Sequence, residues 1–250
     1  MGETSRHLLV LVKNMQGYKN LMKLTTAGYT EGFYYRPRVD KEILMECHEG
    51  LIATSACLHG EIGDNILKGN IAAAVKSAEE YREIFGADNF FLELMENGMP
   101  EQKQVNAELL EISRKISMPL VATNDCHYLN REDREAHEVL LCIQTGKTVE
   151  DTDRMRFATD EFYFKTPEHM IQAFNYCKEA IDNTVSIAER CNLQLEFGKI
   201  YLPRFDIDSD KTLDEYLRNM SYKGLKDLMP HIKKDRQFPD IEKIYEKRLA

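Results

Sequence analysis

"LVATNDCHY", residues 120–128, decides how this chain is read. Four residues of strand-like character, Leu120 to Thr123, run into Asp125 and His127, with Cys126 between them. In extended backbone, residues two apart project to the same side. If the chain stays extended, Asp125 and His127 reach together beyond the strand's carboxyl end, where parallel α/β folds build their sites. A carboxylate oxygen beside an imidazole nitrogen suits Zn²⁺, Mn²⁺ or Fe²⁺. Taken alone, the stretch favours a helix-capping aspartate beside a hydrogen-bonded histidine.

Three further short apolar runs share the character of this one: "HLLVLV" from 7, "LIATSA" from 51 and "FFLELM" from 90. All four are too short for helices and lack polar alternation, so each reads as a strand buried on both faces. Helical patterns separate them. Val105, Leu109, Ile112 and Ile116 form one apolar stripe within 100–117, and Ile71, Ala74, Val75, Ala78, Tyr81 and Phe85 form another within 71–86. Strand–helix–strand alternation predicts parallel strands in an open sheet or a barrel. Beyond the fourth strand, helices are expected near 132–145, 167–176 and 178–191, with "FYF" (162–164) the one further strand candidate. "FGKIYLPRFDIDSDK" (197–211) reads as a connecting segment, and Thr212 with Glu215 has capping-box spacing at the start of another helix.

The second run supplies further metal-capable groups. "GLIATSACLHGEI" ends in Cys57 and His59, where a strand beside 120–123 would deliver them. Each also has a plain reading, Cys57 as a small buried hydrophobe and His59 as a surface loop residue. His7 opens the first strand and could face inward. In an all-parallel sheet it stands at the wrong end, and it reaches the site only if that strand is short or kinked.

Composition narrows the possibilities. The 250 residues are 43% hydrophobic and 30% charged, which describes an ordinary protein with a sizeable core. No apolar run approaches a membrane span, and no basic-then-apolar leader opens the chain, so the expected compartment is the cytoplasm. Six cysteines lack C-x-x-C spacing and suit reduced thiols. A net charge of −9 argues against a free-standing nucleic-acid binder, since phosphate contacts need clustered Lys and Arg. "FYYRPR" (33–38) offers aromatics with Arg36 and Arg38 but reads most simply as a loop. "HIKKDR" (231–236) reads as a solvated run. In "DIDSD" the calcium-loop pattern fails, because Lys211 and Leu217 stand where Gly and Glu are required. No Walker loop, nucleophile elbow or dinucleotide fingerprint is present.

Six ordered blocks then carry a family pattern: "HLLVLVKNMQGYKNL", "EGFYYRPRVDKEIL", "GLIATSACLHGEI", "LVATNDCHYL", "AHEVLLCIQTGKT" and "NTVSIAERCNLQLEFGKIYLPRF". Together they resemble the PHP (polymerase and histidinol phosphatase) domains of bacterial replicative DNA polymerase III alpha subunits. The resemblance implies a PHP-type distorted (β/α)7 barrel, incomplete here, followed by a helical segment leading to a polymerase palm. Residues 1–196 correspond to the carboxyl-terminal two-thirds of the PHP domain, and 197–250 to the linker and first helices of the palm region. The family's metal ligands fall on His7, Cys57, Asp125 and His127, while His59 and Cys126 match no ligand position. The implied cofactors are Zn²⁺ or Mn²⁺ in the PHP site and Mg²⁺ for the parent polymerase. The implied partners are DNA and the other holoenzyme subunits, with no membrane.

The abrupt start and the helical pattern still running at "IEKIYEKRLA" suggest a fragment lacking the family's early H-x-H and T-D-H motifs. The leading expectation is therefore part of a DNA-directed DNA polymerase, itself inactive, whose intact PHP domain supports 3′–5′ exonuclease activity. The alternatives are a stand-alone metal-dependent phosphoesterase and a non-catalytic docking module of the replisome.

Overall fold

A computed structural model describes residues 5–203, 205–207, 210–235 and 240–249. The four apolar runs are strands: β1 (Leu9–Val12), β2 (Leu51–Thr54), β3 (Phe90–Met95) and β4 (Leu120–Thr123). They form one sheet in the order β1-β2-β3-β4. β2, β3 and β4 are parallel, as the alternation predicts. They are connected by α3 (Glu61–Leu67) with α4 (Ile71–Phe85), and by α5 (Pro100–Ile116).

The first strand departs from expectation. β1 pairs antiparallel with β2, Leu9 opposite Thr54 and Val12 opposite Leu51. Nor is it buried on both faces, because it edges the sheet among the described residues and Leu9 is 42% exposed. Its link to β2 holds α1 (Met15–Thr30) and α2 (Lys41–Glu46), which return the chain in the opposite sense. Asn14 caps α1 through the Gly17 N–H, and Asp40 caps α2 through the Ile43 N–H.

The two faces of the sheet differ. Ala53, Phe90, Leu92, Leu94, Leu120 and Ala122 pack with α3, α4 and α5 in the main core. The stripe expected on α5 is there, with Val105, Leu109 and Ile112 all buried. Strand alternation sends Ile52, Phe91 and Val121 to the other face, where they meet Ile187 in a much smaller cluster. Ile187 belongs to α8 (Lys178–Arg190). By the same alternation Thr54, Glu93 and Thr123 share that second face, one residue from each of three neighbouring strands.

Past β4, a 3₁₀ turn (Arg131–Asp133) leads into α6 (Arg134–Thr145), and α7 (Pro167–Ala173) precedes α8. "FYF" does not form a strand. Tyr163 makes only an isolated bridge to Tyr128, since the neighbouring backbone is irregular. Contacts divide the chain into Met1–Leu195 and Glu196–Ala250. The second unit holds α9 (Leu213–Asp235) and α10 (Ile241–Leu249), with Met229 and Ile241 buried. Thr212 and Glu215 form the expected reciprocal cap of α9. Asp208 of the "DIDSD" stretch and Arg236 of "HIKKDR" lie outside the described residues.

Candidate metal centre

The antiparallel β1 resolves the difficulty over His7. Because β1 runs against β2, its beginning lies beside the end of β2, and His7 bridges to Gly60. The His7 N–H donates to the His59 carbonyl at 3.1 Å, and His7 Nδ1 stands 3.4 Å from Cys57 Sγ. Next to His7, Arg6 anchors the segment on Asp64 of α3 at 2.7 Å. The loop carrying Cys57 folds back tightly. A Cβ on Gly60 would stand 2.1 Å from the Ser55 carbonyl oxygen, so only glycine fits there.

The second pair stands past β4. His127 Nε2 is 3.4 Å from Asp125 Oδ1. The extended geometry expected of this stretch does not hold, because Asp125 takes φ 53°, in the left-handed region. The turn still leaves the two side chains in contact. Ala56, one residue before Cys57, takes φ 57°, so the chain bends the same way on leaving both strands. Non-glycine residues hold such angles only where their surroundings fix them.

His127 is set in an aromatic wall. Phe157 meets its ring edge-on at 4.6 Å between centroids, and Phe162 does so at 5.6 Å. The His127 N–H donates to the Phe162 carbonyl at 2.8 Å, and the Phe164 N–H donates to the Leu129 carbonyl at 3.1 Å. His137 of α6 packs 5.8 Å away, and burial together with the neighbouring His127 lowers its pKa. Phe157, Phe162 and His137 come from segments without a site motif, and sequence reasoning passes over them.

Glu93, at the middle of the row on the second face, is also absent from the sequence reading. It is 3% exposed. Thr54 donates its hydroxyl to Glu93 Oε2, and Thr123 donates to Glu93 Oε1. Burial raises its pKa most, and the charge of Asp125 raises it further, while these hydrogen bonds and one from the Ala56 N–H lower it. Cys57 likewise has its pKa raised, first by burial and also by the charges of Asp125 and Glu93. These couplings bring both ends of the site into one electrostatic neighbourhood.

The structure thus presents the four sequence-expected ligands as two pairs, His7 with Cys57 and Asp125 with His127. Among the described residues, no group of three or more His, Cys, Asp or Glu stands ready to hold a metal ion. The donors are of the right chemistry, namely two imidazoles, a thiol and a carboxylate. Near them lies the buried carboxylate of Glu93, held by the Thr54 and Thr123 hydroxyls. In chemistry, though gathered in two pairs, these residues suit a divalent cation of the zinc or manganese type. His59 supplies its carbonyl to His7, with the two rings 5.7 Å apart. Cys126 is exposed, with the Asn124 amide 2.8 Å from its sulfur. In the "FYYRPR" loop, Arg38 stacks over Tyr34 at 5.0 Å.

Comparison with known proteins fits this picture. Residues 2–97 match the PHP domain, a span that includes His7, Cys57 and Glu93 but stops short of Asp125 and His127. The DNA polymerase III alpha subunit of Treponema pallidum is 42% identical over 91% of this chain and 20% of its own length. That of Borreliella burgdorferi is 43% identical over 98% of this chain and 22% of its own length. That of Thermus aquaticus is 46% identical over 88% of this chain and 18% of its own length. The chain therefore spans about a fifth of the length of these relatives. The resemblance carried by the six blocks is borne out: this chain has a PHP-domain match and is similar, over most of its length, to a segment of bacterial DNA polymerase III alpha subunits.

Proposed function

We propose that the chain is the PHP-bearing part of a replicative DNA polymerase III alpha subunit and that the ends of its strands hold a divalent metal. In this reading, template-directed DNA synthesis belongs to the whole polymerase, with Mg²⁺ as its cofactor and DNA and the other holoenzyme subunits as its partners. Residues 1–196 form part of a distorted (β/α)7 barrel, and 197–250 lead toward the palm. The compartment is the cytoplasm; among the described residues no helix is long and apolar enough to cross a membrane.

One observation carries the metal reading: the antiparallel β1 sets His7 3.4 Å from Cys57, at the end of the sheet where Asp125 and His127 also meet. His7, Cys57, Asp125 and His127 hold the cation, which is Zn²⁺ or Mn²⁺. When bound, it supplies Lewis acidity for hydrolysis of a phosphodiester, such as removal of a 3′-terminal nucleotide. The protein's part is to hold the donors. Phe157 and Phe162 hold the His127 ring edge-on, while the Arg6–Asp64 pair holds the segment bearing His7.

The test is His127→Ala in a full-length alpha subunit carrying this region. Metal-dependent 3′–5′ nucleotide removal is expected to fall to background while primer extension is retained. Unchanged nuclease activity would make the site structural. The second reading is a non-catalytic docking module, which expects the His127→Ala polymerase to behave as wild type in both assays.

A further inference from the structure

Glu93 is a costly residue for its position. It is 3% exposed in a strand whose every residue is buried, and among the described residues no lysine or arginine pairs with it. A carboxylate in such a place is far costlier to bury than an apolar side chain of similar size. Stability alone would be served better by leucine.

Its contacts show what the carboxylate does. Thr54 is the last residue of β2, Thr123 is the last of β4, and β3 lies between them. Each threonine gives its hydroxyl to one oxygen of Glu93, so a single side chain ties together two strands that do not pair with each other. The Glu93 N–H donates to Ser55 Oγ at 2.8 Å, and the Ala56 N–H donates to Thr54 Oγ1 at 3.3 Å, extending the clamp one and two residues past β2. Cys57 comes next. On the other side, Asp125 follows Thr123 by two residues. Both exits hold a left-handed non-glycine residue, Ala56 and Asp125, a strained conformation that persists only where its surroundings hold it.

We propose that Glu93 is a positioning residue of the metal centre: it clamps the exits of β2 and β4 so that Cys57 and Asp125 face one divalent cation, and its fixed negative charge favours that cation. The assignment rests on the metal reading above and deepens it. Glu93 bonds to the strand ends and to none of the four proposed ligands. Because groups that orient a metal's ligands tune its affinity by about 10- to 100-fold, loss of Glu93 is expected to act on that scale.

The experiment titrates the whole chain with Co²⁺, reading the thiolate-to-cobalt charge-transfer band and taking affinity from chelator competition. Far-UV circular dichroism reports the fold. Wild type is expected to show the band. Glu93→Gln, which keeps the size and can still bond both hydroxyls, should retain the fold and bind Co²⁺ about tenfold more weakly. The Thr54→Val, Thr123→Val double variant keeps the charge and removes the clamp, so its band should shift or lose intensity. Should Glu93→Gln fail to fold, the threonine pair decides the matter. Wild-type affinity and spectrum in these variants, with both lost in Cys57→Ser and His127→Ala, would overturn the role of Glu93 and leave the metal centre standing. No Co²⁺ band in wild type, or one that survives Cys57→Ser, would overturn the metal centre and the role of Glu93 together.

Discussion

Phe162→Ala separates local from global stability around the loop that carries His127. Phe162 is 4% exposed, packs at a tilt against Phe157 at 4.5 Å between centroids and meets the His127 ring edge-on. Its carbonyl accepts the His127 N–H, and Phe164 is bonded to Leu129, so 127–129 and 162–164 form a small seam outside the sheet. Removing a buried phenylalanine costs about 3–5 kcal/mol. The seam lies outside the main core and can partly relax, so the lower figure, about 3 kcal/mol, is appropriate. The β-sheet itself loses nothing. At about 1.4 kcal/mol per tenfold, the seam should open roughly 100-fold more often. Hydrogen exchange read residue by residue is the assay. The amides of His127 and Phe164 should exchange about 100-fold faster in Phe162→Ala, while those of Leu92 and Leu94 in β3 keep their wild-type rates. Phe162→Leu, which keeps most of the volume, should change the seam by less than about tenfold. Unaltered exchange at His127 would show that the aromatic wall does not hold the loop. Equal acceleration at β3 would show that the seam is no separate unit.

Two further expectations concern acid stability and thiol chemistry. Glu61 opens α3 and accepts hydrogen bonds from Lys41, Ser77 and Tyr81; burial raises its pKa, but these bonds outweigh it and hold the value below 4.5. A carboxyl with a lowered folded pKa contributes stability above its unfolded pKa and loses it as pH falls through the folded value. The gap in urea midpoint between wild type and Glu61→Gln should therefore narrow steadily as pH drops below 4.5, and a constant gap from pH 7 to pH 3 would contradict this. For the thiols, iodoacetamide should modify exposed Cys126 first and half-buried Cys57 more slowly, leaving buried Cys47 and Cys142 intact. Zn²⁺ should slow modification of Cys57 without protecting Cys126; the reverse pattern, read by peptide mass, would move the metal to the other cysteine.

Much of the sheet was legible because strands buried on both faces leave short, unbroken apolar runs, and β2, β3 and β4 are such strands. The direction of β1 was not. An apolar run carries no sign of its orientation, and the helix that follows is poorly marked. Gly17 and Gly28 interrupt α1, and Thr25, Thr26 and Thr30 bond back to carbonyls four residues earlier. Tertiary packing makes that segment helical, and its return path makes β1 antiparallel. The same fact explains how His7, at the start of its strand, meets Cys57 at the end of another. Asp125 and His127 stood out as polar residues closing an apolar run, although a left-handed turn, and not strand alternation, brings them together. Glu93 had a signal too, a lone carboxylate inside "FFLELM". Its meaning depends on Thr54 and Thr123, which are distant in sequence and adjacent only across the sheet.

The central claim is that the two donor pairs hold one divalent metal. Zinc K-edge X-ray absorption on the whole chain, dialysed against a slight excess of Zn²⁺, tests it most directly. The account expects sulfur together with nitrogen or oxygen around the zinc, the sulfur disappearing in Cys57→Ser and the zinc content dropping in His127→Ala. Zinc bound through nitrogen and oxygen alone, unchanged in both variants, would contradict it.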